Sequence, residues 1–382
     1  MIQVVVLGAT GSIGRSAADV LSANKDLYSV HTLAACNNIA ELSRQCDLLA
    51  PRQVITASED KFPELQKVIG SRAAAACGMD AMIDAVTQSE VDMVLCSIIG
   101  TAGIKPVLAA LEAGKHVALA SKEVLVLAGE LVMKAAAGSK GGKIVPVDSE
   151  HSGVFQCLAG RRADEIRKVW LTASGGPFRT WESEKIANAT VSEALAHPTW
   201  NMGKKITIDS ASMMNKALEL IEARYLFDLP PEKLDVVINP QSIVHALAEL
   251  TDGSMIAQMS VPDMRLAIAY GLSYPERLTK PGSTLNLAEM GRLEFFAPDR
   301  KKFPSLDFAD AALRAGGTLP AVLNAANEVA VERFCAGDIK FSGIWKIVGS
   351  VMESVSVEPQ KSLEQILEAD AEARAKAWEA AG

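Results

Sequence analysis

The sequence predicts an α/β fold: an N-terminal Rossmann-type parallel sheet, then a central α+β domain, then a C-terminal helical bundle. Three observations carry this. Over residues 1–147, short apolar runs alternate with Ala-rich amphipathic stretches, the pattern of a parallel sheet covered by helices on both faces. After Val147 the runs follow one another more closely, and several alternate polar with apolar residues, as in His245-Ala246-Leu247-Ala248-Glu249-Leu250. That suits a mixed or antiparallel sheet. From Leu306 onward the pattern is helical, broken at Gly316-Gly317, Gly337 and Pro359.

Taken in order, residues 4–7, 30–35, 53–56, 92–99, 116–120 and 143–147 are the expected strands of a first domain, 1–147, with the Ala-rich stretches as its helices. A second domain, 148–273, is expected to hold apolar runs at 169–173, 205–208, 234–238, 243–250 and 255–260, with helices over 152–158 and 213–227. Residues 274–305 read as a surface linker, because Pro275, Pro281, Gly282, Gly291, Pro298 and Pro304 accumulate there. Residues 306–382 are the expected C-terminal helical domain.

Composition bounds the function. An apolar share of 49 % over 382 residues supports large cores. A net charge of −8 argues against a polyanion-binding surface, so no nucleic-acid partner is expected, although a pocket for one small anion is compatible. No apolar run approaches bilayer length, and Met1 leads almost directly into the apolar run 4–7 rather than a charged leader. A cytoplasmic protein with no membrane partner is expected. Cys36, Cys46, Cys77, Cys96, Cys157 and Cys335 form no C-x-x-C pair and read as reduced core residues.

The first run leads into Gly8-Ala9-Thr10-Gly11-Ser12-Ile13-Gly14 and then a helical pattern. This strand–glycine loop–helix order lets a pyrophosphate rest on the helix N-terminus. Enzymes that use NAD place a carboxylate after the second strand to hold the ribose 2′-hydroxyl. Here that turn is Cys36-Asn37-Asn38, which has no carboxylate to repel a 2′-phosphate and so leans towards NADP.

Asp148 and Glu150 flank Ser149 behind the run 143–147. On a strand they would share one face, two like charges in need of a cation. On the helix over 213–227, Met213, Met214, Ala217, Leu218, Ile221 and Tyr225 form the expected buried stripe, with Asn215, Lys216 and Glu219 on the polar side. Asp148 and Glu150 with Glu219 or Glu222 would make an all-oxygen site suited to Mg²⁺ or Mn²⁺. Ser174-Gly175-Gly176 at a strand end, with Ser210, Asn215 and Lys216, would serve one phosphate, Ser210 also starting the helix. The loop His197-Pro198-Thr199-Trp200-Asn201-Met202-Gly203 carries apolar side chains that can close over a ligand. Lys122, in Ala120-Ser121-Lys122-Glu123 after the fifth run, can neutralise an oxyanion.

With these segments placed, the chain resembles the 1-deoxy-D-xylulose 5-phosphate reductoisomerase family. The matching stretches are G-A-T-G-S-I-G, A-S-K-E, P-V-D-S-E-H, S-G-G-P-F, H-P-T-W-N-M-G, I-D-S-A-S-M-M-N-K-A-L-E, I-N-P-Q-S-I-V-H and L-N-A-A-N-E, in family order. The resemblance implies a homodimer that uses NADPH and a divalent metal to rearrange and reduce a small phosphorylated sugar, 1-deoxy-D-xylulose 5-phosphate, to 2-C-methyl-D-erythritol 4-phosphate. It implies Asp148, Glu150 and Glu219 as metal ligands, and Ser174, Ser210, Asn215 and Lys216 as the phosphate pocket. Ser149, Lys122 and His197 fall near the sugar hydroxyls, and Trp200 and Met202 on a mobile flap. Thr10, Gly11, Ser12, Ile13, Cys36, Asn37, Asn38, Ser121, Glu123 and Gly203 fall on the cofactor. Lys122, Glu150 and His197 are the expected catalytic side chains, with Glu150 or a metal-bound water as base. Ser121 stands where the family usually has Asn, so a cofactor hydrogen bond there would be shorter or water-mediated. Cys36 and Asn37 replace the family's frequent glycine or basic residue and weaken the implied grip on the 2′-phosphate.

Two other readings compete. A metal-independent NADP-dependent semialdehyde or sugar-phosphate dehydrogenase would need a catalytic cysteine or a Tyr-x-x-x-Lys pair. No such pair occurs, and only Cys157 lies near the start of the second domain. An NADP-sensing regulator would not need clustered carboxylates beside a phosphate pocket.

Overall fold

The computed structural model describes residues 1–200, 202–279 and 282–382, and the chain folds as two compact units. The first comprises Met1–Val124, Val132–Ser152 and Asp263–Thr284; the second comprises Leu125–Leu131, Gly153–Pro262 and Leu285–Gly382.

The first unit is built on a seven-stranded parallel sheet. Its strands are β1 (Ile2–Leu7), β2 (Tyr28–Ala35), β3 (Gln53–Thr56), β4 (Ala74–Cys77), β5 (Met93–Cys96), β6 (His116–Leu119) and β7 (Ile144–Pro146), in the order β4-β3-β2-β1-β5-β6-β7. Val4, Val5, Val6 and Leu7 are all buried, as a strand covered on both faces requires. The order reverses at β1, which puts the topological switch point between β1 and β5. All six expected strands form. The seventh, β4, was not expected, because Ala74-Ala75-Ala76 favours helix on its own. Pairing with β3 makes it an edge strand.

Two expectations are corrected here. Strand β7 ends at Pro146, and the helix expected over 152–158 starts earlier, at Ser149, and runs to Leu158. Asp148 and Glu150 are therefore not strand neighbours. The Asp148 carbonyl accepts from the Ser152 amide at 2.8 Å, and Glu150 lies in the first helical turn, where the helix dipole favours a carboxylate. Second, Asp263–Thr284, expected partly in the second domain and partly in the linker, folds with the first unit. The helix Met264–Ser273 packs on the helix Ser12–Ala23. Its Ile268, Ala269 and Leu272 join the core of Val6 and Leu21, and Tyr28 Oη donates to the Leu272 carbonyl at 3.3 Å. Pro281 of the expected linker lies outside the described residues.

The second unit holds a mixed four-stranded sheet of β8 (Ile166–Ala173), β9 (Leu234–Ile238), β10 (Val244–Leu250) and β11 (Met255–Met259), in the order β11-β10-β8-β9. Only the β8–β9 pair is parallel. The run 205–208 is not a strand. It lies in the helix Lys204–Ala211, where buried Thr207, Ile208 and Ala211 hold it. Four residues are too few for periodicity to separate helix from strand, and β-branched Ile206-Thr207-Ile208 biased the expectation. The helices Ser305–Ala315, Leu319–Ala336, Phe341–Ser354 and Leu363–Ala381 follow. Fully buried Phe178 meets Phe341 edge-on, with ring centroids 5.1 Å apart, and so anchors the loop after β8 to these helices. All six cysteines are free thiols. Among the described residues, no helix is long and apolar enough to cross a membrane.

Candidate active site

In the first unit the expected site residues all follow carboxyl ends of strands, the edge where open α/β sheets bind ligands. The glycine loop follows β1, Cys36-Asn37-Asn38 follows β2, Ser121-Lys122-Glu123 follows β6 and Asp148 follows β7. The loop glycines have different reasons to be there. Gly8 sits at φ +88°, and a Cβ on it would lie 2.5 Å from Ser97 Oγ. A Cβ on Gly14 would lie 2.2 Å from the Ala9 carbonyl oxygen, so the helix Ser12–Ala23 presses onto the loop. Gly11 starts that helix with an ordinary φ of −72° and is exposed. The first-turn amides have no intrahelical acceptors and form a cradle that fits a pyrophosphate. Asn38 Oδ1 caps the helix Ile39–Leu49, accepting from the Glu41 amide at 3.1 Å. Sequence reasoning missed Ser97, whose hydroxyl donates to the Leu7 carbonyl at 3.0 Å beside the switch point. Its place at the end of the fourth run was the available signal.

Lys122 begins the helix Lys122–Gly138 and is buried. Its ammonium meets Asp148 Oδ2 at 2.5 Å. Ser149 Oγ donates to Glu150 Oε2 at 2.6 Å. Ser121 Oγ donates to the Ile98 carbonyl at 2.5 Å, tying the turn after β5 to the turn after β6. Glu123 is buried in the same first turn.

In the second unit Ser174 lies just beyond β8. Its hydroxyl oxygen accepts from the Gly176 amide at 3.1 Å and lies 3.0 Å from His197 Nε2. His197 Nδ1 accepts the amides of Thr199 (3.2 Å) and Trp200 (2.9 Å), so the neutral ring carries its proton on Nε2 and donates it to Ser174. With both lone pairs of the Ser174 oxygen engaged, its own proton is left to donate to an anion. Burial lowers the His197 pKa from 6.5, favouring the neutral ring. A depressed histidine contributes structure above its ordinary value, and that contribution is lost as pH falls through the folded-state value. Protonated Nδ1 cannot accept, so hydrogen-exchange protection factors of the Thr199 and Trp200 amides should hold above pH 6.5 and fall below it. Protection that persists at a pH where the His197 ring is seen by NMR to be protonated would remove Nδ1 as their acceptor.

The helix expected over 213–227 spans Met214–Leu226, and its face differs from the expectation. Lys216, Glu219 and Glu222 are buried along with the apolar stripe. Asn215 Nδ2 donates to Glu219 Oε1 at 2.5 Å, and the Lys216 ammonium bonds Glu219 Oε2. Glu219 is therefore a buried carboxylate between an amide and a cation, not a solvated one. Ser210 does not start this helix. It lies inside the helix Lys204–Ala211, and Met213, at φ +63°, makes the turn between the two. A Cβ on Gly176, itself at φ +66°, would lie 2.7 Å from the Ser210 carbonyl oxygen, so the Ser174 loop and Ser210 are brought together. In the expected flap, the Trp200 ring lies 6.4 Å from that of His245, Gly203 starts the helix Lys204–Ala211, and Asn201 lies outside the described residues.

A family model described as 1-deoxy-D-xylulose 5-phosphate reductoisomerase matches residues 4–129; models of that enzyme's C-terminal domains match 144–227 and 259–376. The chain belongs to the 1-deoxy-D-xylulose 5-phosphate reductoisomerase family. It is 46 % identical over 383 residues to the reductoisomerase of Geotalea uraniireducens (strain Rf4), covering 100 % of this chain and 99 % of that one. It is 48 % identical over 379 residues to that of Pelotomaculum thermopropionicum, covering 98 % and 97 %. The structure resembles the reductoisomerase from Zymomonas mobilis in complex with NADPH, with a TM-score of 0.92, 41 % identity, and coverage of 99 % and 98 %. A DOX-P reductoisomerase in complex with NADPH, fosmidomycin and magnesium gives a TM-score of 0.93 at 38 % identity, covering 100 % and 98 %.

Asp148 and Glu219 each contact a lysine within their own unit. A carboxylate with so little exposure needs a counter-charge. A donor set made only of carboxylate oxygens fits Mg²⁺ or Mn²⁺.

Proposed function

We propose that Asp148, Glu150 and Glu219 hold one divalent ion, and that Ser174, Ser210, Asn215 and Lys216 hold the phosphate of the substrate. The enzyme converts 1-deoxy-D-xylulose 5-phosphate to 2-C-methyl-D-erythritol 4-phosphate with NADPH and a divalent metal. One observation carries the assignment of residues. On the helix Met214–Leu226, Glu219 is fully buried and shares its two oxygens with Asn215 and Lys216, so the ion ligand and the phosphate binders are neighbours.

When bound, the ion supplies Lewis acidity at the substrate oxygens and NADPH supplies the hydride. The chain's own groups do the rest. Ser174 donates to the phosphate while neutral His197 holds its oxygen from behind. Lys216 adds positive charge, and binding there supplies energy remote from the reacting carbons. Lys122 orients Asp148, and Ser149 orients Glu150, which takes the proton of the C4 hydroxyl. Trp200, Met202 and Gly203 close over the substrate and exclude water from the aldehyde formed by rearrangement. Thr10, Gly11, Ser12 and Ile13 carry the cofactor phosphates, with Cys36, Asn37, Asn38, Ser121 and Glu123 along the same sheet edge. The working form in this reading is a cytoplasmic homodimer acting on a small sugar phosphate, without nucleic-acid or membrane partners; a net charge of −8 argues against a nucleic-acid partner.

The test is NADPH consumption with 1-deoxy-D-xylulose 5-phosphate. Turnover should require Mg²⁺ or Mn²⁺ and stop on chelation. Full turnover in EDTA would instead favour the metal-independent dehydrogenase.

A further inference from the structure

The stretch L-N-A-A-N-E, residues 323–328, takes no part in the steps above. It lies on the helix Leu319–Ala336 of the second unit. Asn327 is fully buried, and its Nδ2 donates to Asp209 Oδ1 at 2.8 Å. Asp209 is buried too; its Oδ2 pairs with Lys205 Nζ at 2.8 Å, and it directly precedes Ser210. On the other side of Ser210, the Ser212 carbonyl accepts from Ser305 Oγ at 2.8 Å, and Ser305 Oγ accepts from Trp345 Nε1 at 2.9 Å. The helix bearing Asn327 is itself fixed in rotation. Glu328 accepts from Arg374 Nη2 at 2.6 Å and from Asn324 Nδ2 at 3.0 Å.

We infer that Asn327 and Ser305 are positioning residues. Their buried hydrogen bonds, made from the C-terminal helices onto both sides of Ser210, hold it where it receives the substrate phosphate. The inference rests on the assignment of Ser210 to the phosphate pocket. The physical need is local. Met213 sits at φ +63°, which is costly for a residue with a side chain, and as the N-cap of the following helix its own side chain makes no capping bond. The turn 209–213 has bonds of its own, from Ser212 Oγ to the Asp209 carbonyl at 3.2 Å and from the Met213 amide to the Ser210 carbonyl at 3.2 Å, but these offset an unfavourable backbone conformation. The ties from Asn327 and Ser305 brace it from outside, and each is buried, where an unmade hydrogen bond is expensive. Both residues act through Ser210 and not on the reacting carbons or the nicotinamide.

The experiment is steady-state kinetics on the full chain with Mg²⁺, comparing Asn327→Ala, Ser305→Ala, Ser210→Ala and the double variant Asn327→Ala/Ser210→Ala. Asn327→Ala and Ser305→Ala should each raise KM for 1-deoxy-D-xylulose 5-phosphate roughly tenfold, with kcat and the KM for NADPH within about twofold, and Ser210→Ala should raise that KM at least as much. Inhibition by inorganic phosphate should weaken in parallel. The double variant should be no worse than the worse single one, because the two residues act as one device. If Ser210→Ala raises KM while Asn327→Ala and Ser305→Ala do not, or if they lower kcat and disturb both KM values together, the inference fails and the phosphate pocket stands. Additive effects in the double variant would also overturn it. If Ser210→Ala leaves KM unchanged, the pocket assignment itself fails. Should Asn327→Ala not fold, Ser305→Ala, which removes one hydroxyl, decides the matter on the same readings.

Discussion

Glu219→Gln should lower kcat by about a thousandfold and remove its dependence on Mg²⁺, while leaving the Kd for NADPH unchanged. The change keeps the side chain's shape and its bond from Asn215 but deletes the charge. Two consequences follow from the burial of this residue. Weaker ion binding should appear in calorimetric titration with Mg²⁺. The Lys216 ammonium also loses its carboxylate in a buried setting, where removing one partner of an ion pair costs about 3–5 kcal/mol of stability. The variant should therefore melt at a lower temperature yet still bind NADPH, whose proposed cradle is in the first unit. A variant that turns over normally would take Glu219 out of the metal site. Lost NADPH binding would mean that the damage is general.

Gly14→Ala is the second large effect. Its new methyl would lie 2.2 Å from the Ala9 carbonyl oxygen and 2.4 Å from that of Gly8. Both are backbone atoms that no rotamer change can move, so the helix Ser12–Ala23 must withdraw from the loop. Overpacking of this kind costs roughly 1–3 kcal/mol or more, and the withdrawn helix end should raise the Kd for NADPH at least about tenfold. Gly11→Ala is the control for folding. Its φ is already −72°, and its methyl would meet only the Gly8 carbonyl oxygen, at 3.4 Å. That variant should melt with the parent, and calorimetric titration with NADPH would then report the cradle alone. Equal loss of stability in both would contradict this division of roles.

The site was legible where chemistry is local. The glycine loop lies between a strand and a helix, as its position behind an apolar run implied. Lys122 and Asp148 follow the ends of β6 and β7, as did the runs that announced them. Legibility failed where pairing or burial decides. Ala74–Cys77 became a strand only because β3 lies beside it. Residues 205–208 became a helix although three of the four residues, Ile206, Thr207 and Ile208, are β-branched. Lys216 and Glu219 were read as a polar face, because amphipathic spacing cannot tell water from a buried ion pair.

By itself, the order of apolar runs and glycines determined the parallel sheet, the later mixed sheet and the helical end. Those are properties of short stretches, set by period and side-chain chemistry. Only the tertiary structure decided that residues 263–284 return to the first core, that Ser210 sits inside a helix, and that Asn327 reaches Asp209 across 118 positions. Contacts between distant residues depend on how helices and sheets pack, and local periodicity carries no record of that.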